Sequence, residues 1–290
     1  MSNFGILTLA TPGDYRKAIG LALSLRVSNP EVQIAVACSP RTAALVSPYF
    51  DIVVDENPKL KGFEHKVHLD EYTPFDTTFF FDSDILIFRP LQDMVDSWGD
   101  QPYMACGIYT SDGFSSFGQD RTQVLKKIGR DRLVTIDGAG HALFRTPECS
   151  EIFTLAREIT AGYKEYGGDA RYADEDVMNI AMTILDYKPT PHGDFFSRHL
   201  SAKKGTIDMD ASQGKCRFDA VVYNRMQEPH IMHFACNEAP FEHYRQLKLL
   251  FDKFGVDTSG LLKIAIGDFY TNEINWPLRK FVKRLIGREK

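Results

Sequence analysis

Two aspartates, Asp82 and Asp84, stand inside the apolar stretch 79–88. Charged side chains rarely occur within buried strands unless a partner neutralises them. In an extended chain, residues two apart point to the same side, so the two carboxylates would repel each other. A divalent metal with oxygen ligands, Mg or Mn, would neutralise both. Alternatively, the strand ends at Phe81 and the aspartates form a solvated turn or a helix cap, and the spacing alone does not decide between the two interpretations.

Short apolar strands alternate with helical segments ahead of this aspartate pair. Predicted strands at 5–10, 32–37 and 52–54 are separated by helical patterns, and 77–81 leads to the aspartates. This alternation predicts a parallel sheet with right-handed crossovers. Ligands bind outside the carboxyl ends of strands in such sheets. The turn after the first strand, Asp55 and the aspartate pair all follow strand ends, so we expect them at one crevice.

Composition limits the class of protein. The chain has 290 residues, 43% of them apolar, with 34 Lys and Arg against 39 Asp and Glu. This length suits one large α/β domain or two small ones, and a net charge of −5 argues against a nucleic-acid-binding protein. The sequence indicates neither a signal peptide nor a membrane span. It contains no GxGxxG or GxxxxGK[ST] motif. Scattered cysteines without a CxxC pair indicate reduced thiols in a cytoplasmic protein: Cys38, Cys106, Cys149, Cys216 and Cys236.

Further candidate residues follow in the second half of the chain. Gly138 and Gly140 interrupt a strand pattern, which suggests close approach by a ligand or a second backbone. Asp174 and Glu175 begin a helical pattern, where acidic residues are ordinary. His233 lies in an apolar strand, and taken alone it is more typical of a core histidine than of a metal ligand.

Taken in order, these residues resemble the glycogenin-like, family-8 glycosyltransferases of the GT-A fold, which include bacterial lipooligosaccharide galactosyltransferases. The resemblance covers roughly the first 240 residues. It rests on the opening 7–10 with Tyr15, on Asp55, on Lys66 ahead of Asp82-Ser83-Asp84, and later on Gly138-Ala139-Gly140, Asp174-Glu175 and His233-Phe234. It implies a GT-A-type, Rossmann-like and mostly parallel sheet flanked by helices in one catalytic domain at 1–245. A nucleotide-sugar half would span about 1–110, an acceptor half about 111–245, and a helical extension 246–290.

The resemblance also implies roles for individual residues. Asp82, Asp84 and His233 would hold Mn or Mg, which bridges the two phosphates of a UDP-sugar, and a histidine ligand favours Mn. Asp174 and Glu175 would face the sugar and the acceptor as the catalytic residues. The nucleotide sugar would be lined by Thr8, Ala10, Tyr15, Asp55, Lys66, Ser83, Gly138 and Gly140.

The implied activity is metal-dependent transfer of a hexose from a UDP-sugar to a glycan, lipid-linked or protein acceptor, with retention at the anomeric carbon. Two displacements would need a carboxylate nucleophile, for which Asp174 and Glu175 are the candidates. Attack on the same face as the leaving group is the interpretation we favour. Two other classes remain open, a sugar-phosphate nucleotidyltransferase and a non-catalytic module that binds nucleotide sugars.

The sequence departs from the family at positions that would contact the donor. Gly138-Ala139-Gly140 replaces the family's Asn-Ser-Gly, and Glu175 replaces a glutamine. The lysine that follows the histidine in the family is missing, and Lys203, Lys204 or Lys215 could supply that charge. These changes leave the donor sugar open.

Residues 276–290 predict a basic amphipathic helix. Its apolar positions recur at i, i+3, i+4, i+7 and i+8, with basic residues at most of the others: Leu278, Phe281, Val282, Leu285 and Ile286. The pattern is typical of a peripheral anchor on anionic lipid and equally of a terminal helix docked on its own domain. An anchor would indicate a lipid-linked acceptor at the cytoplasmic, inner face of a membrane.

Overall fold

The computed structural model describes residues 3–138, 140–191, 195–197, 200–221, 224–234, 239–275 and 278. The chain divides into two compact units whose segments alternate along the sequence. Unit 1 comprises Met1–Pro12, Val32–Asp82 and Gln92–Gly193, and unit 2 comprises Gly13–Glu31, Ser83–Leu91 and Asp194–Lys290. The boundary runs between the two predicted ligands, since Asp82 ends a segment of unit 1 and Asp84 belongs to unit 2.

Unit 1 is built on a six-stranded sheet. Its strands are β1 (Phe4–Ala10), β2 (Gln33–Cys38), β3 (Ile52–Asp55), β4 (Thr77–Phe81), β6 (Tyr103–Met104) and β9 (His141–Arg145). They lie in the order β3-β2-β1-β4-β9-β6. The first four strands are parallel, and β9 is antiparallel to both of its neighbours. The predicted α/β class with a mostly parallel sheet is therefore confirmed.

The remaining elements of unit 1 are helices and one strand pair. An antiparallel pair is formed by β7 (Gly107–Thr110) and β8 (Leu133–Ile136). Two 3-10 segments, Ser47–Tyr49 and Gly62–His68, precede and follow β3. The helices are α2 (Pro40–Val46), α3 (Leu69–Tyr72), α4 (Gln92–Ser97), α5 (Arg121–Ile128), α6 (Ser150–Ala161), α7 (Tyr163–Gly167) and α8 (Asp174–Ile184).

Local sequence signals set the ends of these helices. Ser39 caps α2, because its side chain accepts a hydrogen bond from the backbone of Thr42. Asp120 caps α5 in the same way, and Gly129 ends that helix with a φ of 68°. Apolar side chains of α6 and α8 join Phe80 of β4 in one core of buried residues. This packing holds the start of α8 in place beside the end of β4.

The stretch 79–88 is not one strand. β4 ends at Phe81, and β5 (Ile85–Ile87) begins only after Asp84. β5 pairs with β14 (Ile231–His233), which in turn pairs with β10 (Phe196–Ser197) in a sheet of unit 2. Of the two interpretations that the sequence left open, the one in which the strand ends at Phe81 is confirmed, and the chain turns where burial of two charged side chains would be costly.

Unit 2 also contains an antiparallel meander and further helices. The antiparallel meander is formed by β11 (Asp208–Asp210), β12 (Lys215–Ala220) and β13 (Arg225–Gln227). A 3-10 turn, Ala211–Gln213, joins the first two of these strands. The helices are α1 (Tyr15–Ser28), α9 (Pro240–Phe254) and α10 (Leu261–Phe269), followed by a π-helical turn, Tyr270–Asn275. Residues 276–290 lie outside the described residues apart from Leu278, so the tail helix stays a prediction, as do the boundaries at 110 and 245.

Among the described residues, no helix has both the length and the apolar character needed to cross a membrane.

Candidate active site

One lysine of unit 1 holds two carboxylates. Lys66 lies on the 3-10 segment Gly62–His68, Asp82 follows the end of β4, and Asp174 is the first residue of α8. The Lys66 Nζ atom lies 2.8 Å from Oδ1 of Asp82 and 3.5 Å from Oδ2 of Asp174. It also lies 5.7 Å from the ring centroid of Phe80. Three of the residues selected from sequence therefore form one charged cluster.

Asp174 has unusual electrostatics within this cluster. It is only 3% exposed, and burial raises its pKa above the usual value. The Lys66 ammonium opposes this effect, whereas the nearby Asp82 carboxylate adds to the rise in pKa. Asp174 thus depends on Lys66 for its negative charge. Glu175, the next residue of α8, is half-buried.

A second pair of predicted ligands meets in unit 2. Asp84 immediately precedes β5, His233 ends β14, and His233 is opposite Ile85 in the antiparallel register. The Nε2 atom of His233 lies 3.0 Å from Oδ1 of Asp84. Burial raises the pKa of Asp84, but its electrostatic interaction and hydrogen bond with His233, together with the charge of Lys17, outweigh this and hold the pKa well below its usual range. A carboxylate oxygen and an imidazole nitrogen at this separation fit the ligand types that Mn accepts.

The predicted donor-lining residues on the first strands lie at one edge of the sheet in unit 1. Thr8 is fully buried within β1, and Ala10 ends that strand with 1% exposure. Asp55 is exposed at the end of β3. Because these strands are parallel to β4, their carboxyl ends share an edge with Asp82.

The glycine segment approaches the same edge. The backbone N–H of Asp82 donates a hydrogen bond to the carbonyl of Gly140 at 2.8 Å. Gly138 has a φ of 75°, a conformation that favours glycine. Ala139 lies outside the described residues. The glycines therefore allow the backbone to pass beside Asp82, as the interrupted strand pattern suggested.

The two other predicted donor contacts belong to unit 2. Tyr15 is half-buried at the first position of α1, and its hydroxyl accepts a hydrogen bond from Nε of Arg16 at 3.1 Å. Ser83 is half-buried in the turn that separates Asp82 from Asp84. Their contacts with a nucleotide stay predictions.

Sequence reasoning missed Asp176, the third acidic residue of α8. Its side chain is fully buried. Oδ2 accepts hydrogen bonds from the Ser115 hydroxyl at 2.9 Å and from the Tyr163 hydroxyl at 3.1 Å. Ser115 belongs to the loop after β7, so Asp176 fastens that loop to the helix that carries Asp174. Its position two residues beyond Asp174 was the available signal.

Sequence reasoning also missed Lys17, Asp268 and His243 in unit 2. Lys17 Nζ lies 2.7 Å from Oδ2 of Asp268. The ring of His243 is buried and stacks on Phe234, with ring centroids 4.3 Å apart. Burial lowers the pKa of His243 to about 3. Helical spacing gave a signal for Lys17, which shares a face of α1 with the buried Ser24.

Two of the lysines suggested as replacements for the missing family lysine have surface partners. Lys203 pairs with Asp219 at 2.9 Å, and Lys215 pairs with Asp208 at 2.7 Å. Lys204 is exposed. None of these contacts involves Asp84 or His233.

Comparison with known proteins identifies the fold. No family model and no curated protein sequence matches the chain. The galactosyltransferase LgtC, solved with donor and acceptor sugar analogues, is similar with a TM-score of 0.57 and 18% identity over 86% of this chain and 95% of that chain. The bifunctional glycosyltransferase WbbM has a TM-score of 0.56 and 12% identity over 91% of this chain, which spans 51% of WbbM. The glycosyltransferase GlyE of Streptococcus pneumoniae has a TM-score of 0.56 and 13% identity over 94% of this chain and 64% of GlyE. These similarities confirm that the chain has the GT-A glycosyltransferase fold that its sequence resembles.

Proposed function

We propose that the protein is a glycosyltransferase that uses a divalent metal to transfer a hexose from a UDP-sugar to a glycan, lipid-linked or protein acceptor, with retention. The observation that carries this proposal is the Asp84–His233 pair at 3.0 Å, at the start of β5 and the end of β14. Asp82 precedes Asp84 by two residues and completes the set of proposed ligands. The fold similarity to glycosyltransferases supports the reaction class.

The proposed ligand residues suit a transition metal. Asp82, Asp84 and His233 would hold the cation, and the imidazole makes Mn a better match than Mg. When bound, the cation supplies Lewis-acid stabilisation of the negative charge that grows on the departing diphosphate. Lys66 holds a positive charge 2.8 Å from Asp82, one of the proposed ligands.

The state of Asp174 bears on how retention is achieved. A covalent glycosyl intermediate would require Asp174 to leave its ion pair with Lys66, although it is 3% exposed. We therefore favour attack by the acceptor hydroxyl on the face from which the diphosphate leaves. The bond from the anomeric carbon to the acceptor oxygen forms, the bond to the phosphate oxygen breaks, and the acceptor's proton passes to that phosphate. Asp174 then positions Lys66, and Glu175 is available to face the sugar.

The proposed acceptor and its location depend on how the sequence of residues 276–290 is interpreted. The basic amphipathic pattern of 276–290 supports peripheral contact with anionic lipid at the cytoplasmic, inner face of a membrane, where a lipid-linked glycan would be the acceptor. The alternative of a tail docked on the protein leaves a glycan or protein acceptor.

A panel of UDP-sugars and GDP-sugars, each with Mn, with Mg or with EDTA, tests the activity. We expect one UDP-sugar to be slowly hydrolysed to UDP and free sugar, with Mn and not with EDTA. A nucleotidyltransferase would instead release or consume pyrophosphate, and a binding module would bind a nucleotide sugar without turnover. Either result would overturn the proposal.

A further inference from the structure

Helix α1 packs along β5, the strand that follows Asp84. The backbone N–H of Ile87 donates a hydrogen bond to the Ser24 hydroxyl at 2.9 Å. One turn earlier, Gly20 packs mainly against Leu247 of α9, and a Cβ atom on Gly20 would also lie 3.7 Å from the Leu86 side chain. The helix and the strand therefore run side by side in the same direction.

This alignment places Lys17 level with Asp84. The seven residues from Ser24 back to Lys17 span about 10 Å at about 1.5 Å per residue. The three residues from Ile87 back to Asp84 also span about 10 Å, at about 3.3 Å per residue. Lys17 is 7% exposed, so its ammonium is directed into the protein at that level.

The partner of Lys17 comes from a distant part of the sequence. Asp268 of α10 holds the ammonium at 2.7 Å, and its side chain is 18% exposed. Buried ammonium groups need such a partner, because desolvation of an unpaired charge is costly. The ion pair of Lys17 and Asp268 thus lies level with Asp84 along β5.

Two imidazole rings also lie near Asp84 in unit 2. His233 faces Asp84 from β14 at 3.0 Å. His243 of α9 is buried and neutral, since burial and the charge of Lys17 lower its pKa to about 3. Lys17 thus contributes a permanent positive charge to the surroundings of this carboxylate.

We propose that the Lys17–Asp268 ion pair sets the affinity of the Asp84–His233 site for its divalent cation. The ammonium of Lys17 repels an incoming cation, and Asp268 offsets part of that repulsion. The cation then binds weakly to the protein alone and tightly together with the diphosphate, whose negative charge outweighs Lys17. This inference rests on the metal site of the proposed function.

Two substitutions change the charge in opposite directions. Lys17→Met leaves the negative charge of Asp268 in place and should tighten Mn binding without nucleotide by at least about tenfold, because a unit charge within about 10 Å of a divalent cation interacts by more than that at an effective dielectric constant of about 20. Asp268→Asn removes the negative charge that lies 2.7 Å from Lys17 and should weaken Mn binding by at least about tenfold. The double variant should return to within about threefold of the wild type. A purely structural role would instead weaken binding in both single variants.

The measurement is titration of the full chain with Mn, followed by electron paramagnetic resonance of the free ion, first without and then with UDP. The matched control is the surface ion pair Lys248–Asp252 of α9, with Lys248→Met and Asp252→Asn, for which no shift is expected. Lys17→Arg keeps the charge and should keep the wild-type affinity. If Lys17→Met does not fold, Asp268→Asn and the double variant still test the sign.

Opposite shifts in the two single variants support the inference. Shifts in the same direction, or none, overturn it while the metal site itself stands. Wild-type protein that binds no Mn even with UDP would overturn the proposed function instead.

Discussion

The ammonium of Lys66 lies 2.8 Å from the Asp82 carboxylate. Asp84, only two residues further along, has a different partner, the imidazole of His233 at 3.0 Å. The two aspartates of one short motif thus have separate partners, one in unit 1 and one in unit 2. Each aspartate can therefore be tested through its own partner.

Lys66→Met removes the ammonium shared by Asp82 and Asp174. We expect kcat/KM for the donor to fall on the order of a hundredfold, as is typical when a positioned electrostatic group is lost. Lys59→Met is the control, because Lys59 is an exposed lysine close to Lys66 in the sequence. Steady-state kinetics with the donor found in the panel measures both variants, and equal rates for the two would refute the role of Lys66.

Ser115→Ala removes one of the two hydroxyl donors to the buried Asp176 carboxylate. A buried acceptor that loses a donor costs about 1–3 kcal/mol, so urea unfolding should show a loss of that size. Amide hydrogen exchange should also quicken in the loop 111–119. The neighbouring Ser116 is exposed, and Ser116→Ala should change neither quantity. Unchanged exchange in the Ser115 variant would show that the loop is held by other contacts.

His243 should make the protein less stable in acid. Its pKa is lowered to about 3 in the folded protein, whereas an unfolded histidine titrates near about 6.5. Between these values the unfolded chain binds a proton that the folded chain does not, so the free energy of unfolding falls as the pH decreases. The slope is at most about 1.4 kcal/mol per pH unit.

His243→Phe should remove this part of the pH dependence while it preserves the stacking on Phe234. Urea unfolding at several pH values between about 7 and 4 measures the free energy of unfolding of the wild type and the variant. As the pH decreases, the wild type should lose stability relative to the variant. His65→Gln, at a half-buried position of unit 1, is the comparison. Parallel curves for wild type and His243→Phe would contradict the lowered pKa.

Removal of residues 276–290 tests the predicted membrane contact. If the basic tail binds lipid, the shortened protein should no longer sediment with vesicles that contain anionic phospholipid. Neutral vesicles provide the control, because they should bind neither form strongly. Equal sedimentation of both forms with anionic vesicles would favour a tail docked on the protein.

The sequence allowed the parallel sheet and much of the site to be predicted, because both depend on local patterns. Apolar runs marked β1 to β4, and the polar residues at their ends marked the edge that carries Asp82. His233 was selected for its place in the family order, since its apolar strand alone is more typical of a core histidine. The break after Phe81 was left open because an apolar run on both sides of two aspartates suits one strand or two.

Contacts between distant segments could not be predicted in this way. The pairing of β5 with β14 brings His233 to Asp84, and no local pattern specifies that register. The same holds for Lys17 and Asp268, which come from α1 and α10. Their charges are ordinary in the sequence and become informative only when burial and distance are known.

The metal site at Asp84 and His233 is tested most directly by calorimetric titration of the protein with UDP, in the presence of Mn or of EDTA. The titration compares the wild type with Asp84→Asn. Wild-type protein should bind UDP tightly only when Mn is present, and Asp84→Asn should lose at least about tenfold of the metal-dependent affinity, a conservative figure for removal of one charged ligand. Asp112→Asn, at an exposed position, should behave as wild type. Metal-dependent UDP binding in Asp84→Asn that equals the wild type would contradict a metal site at Asp84 and His233.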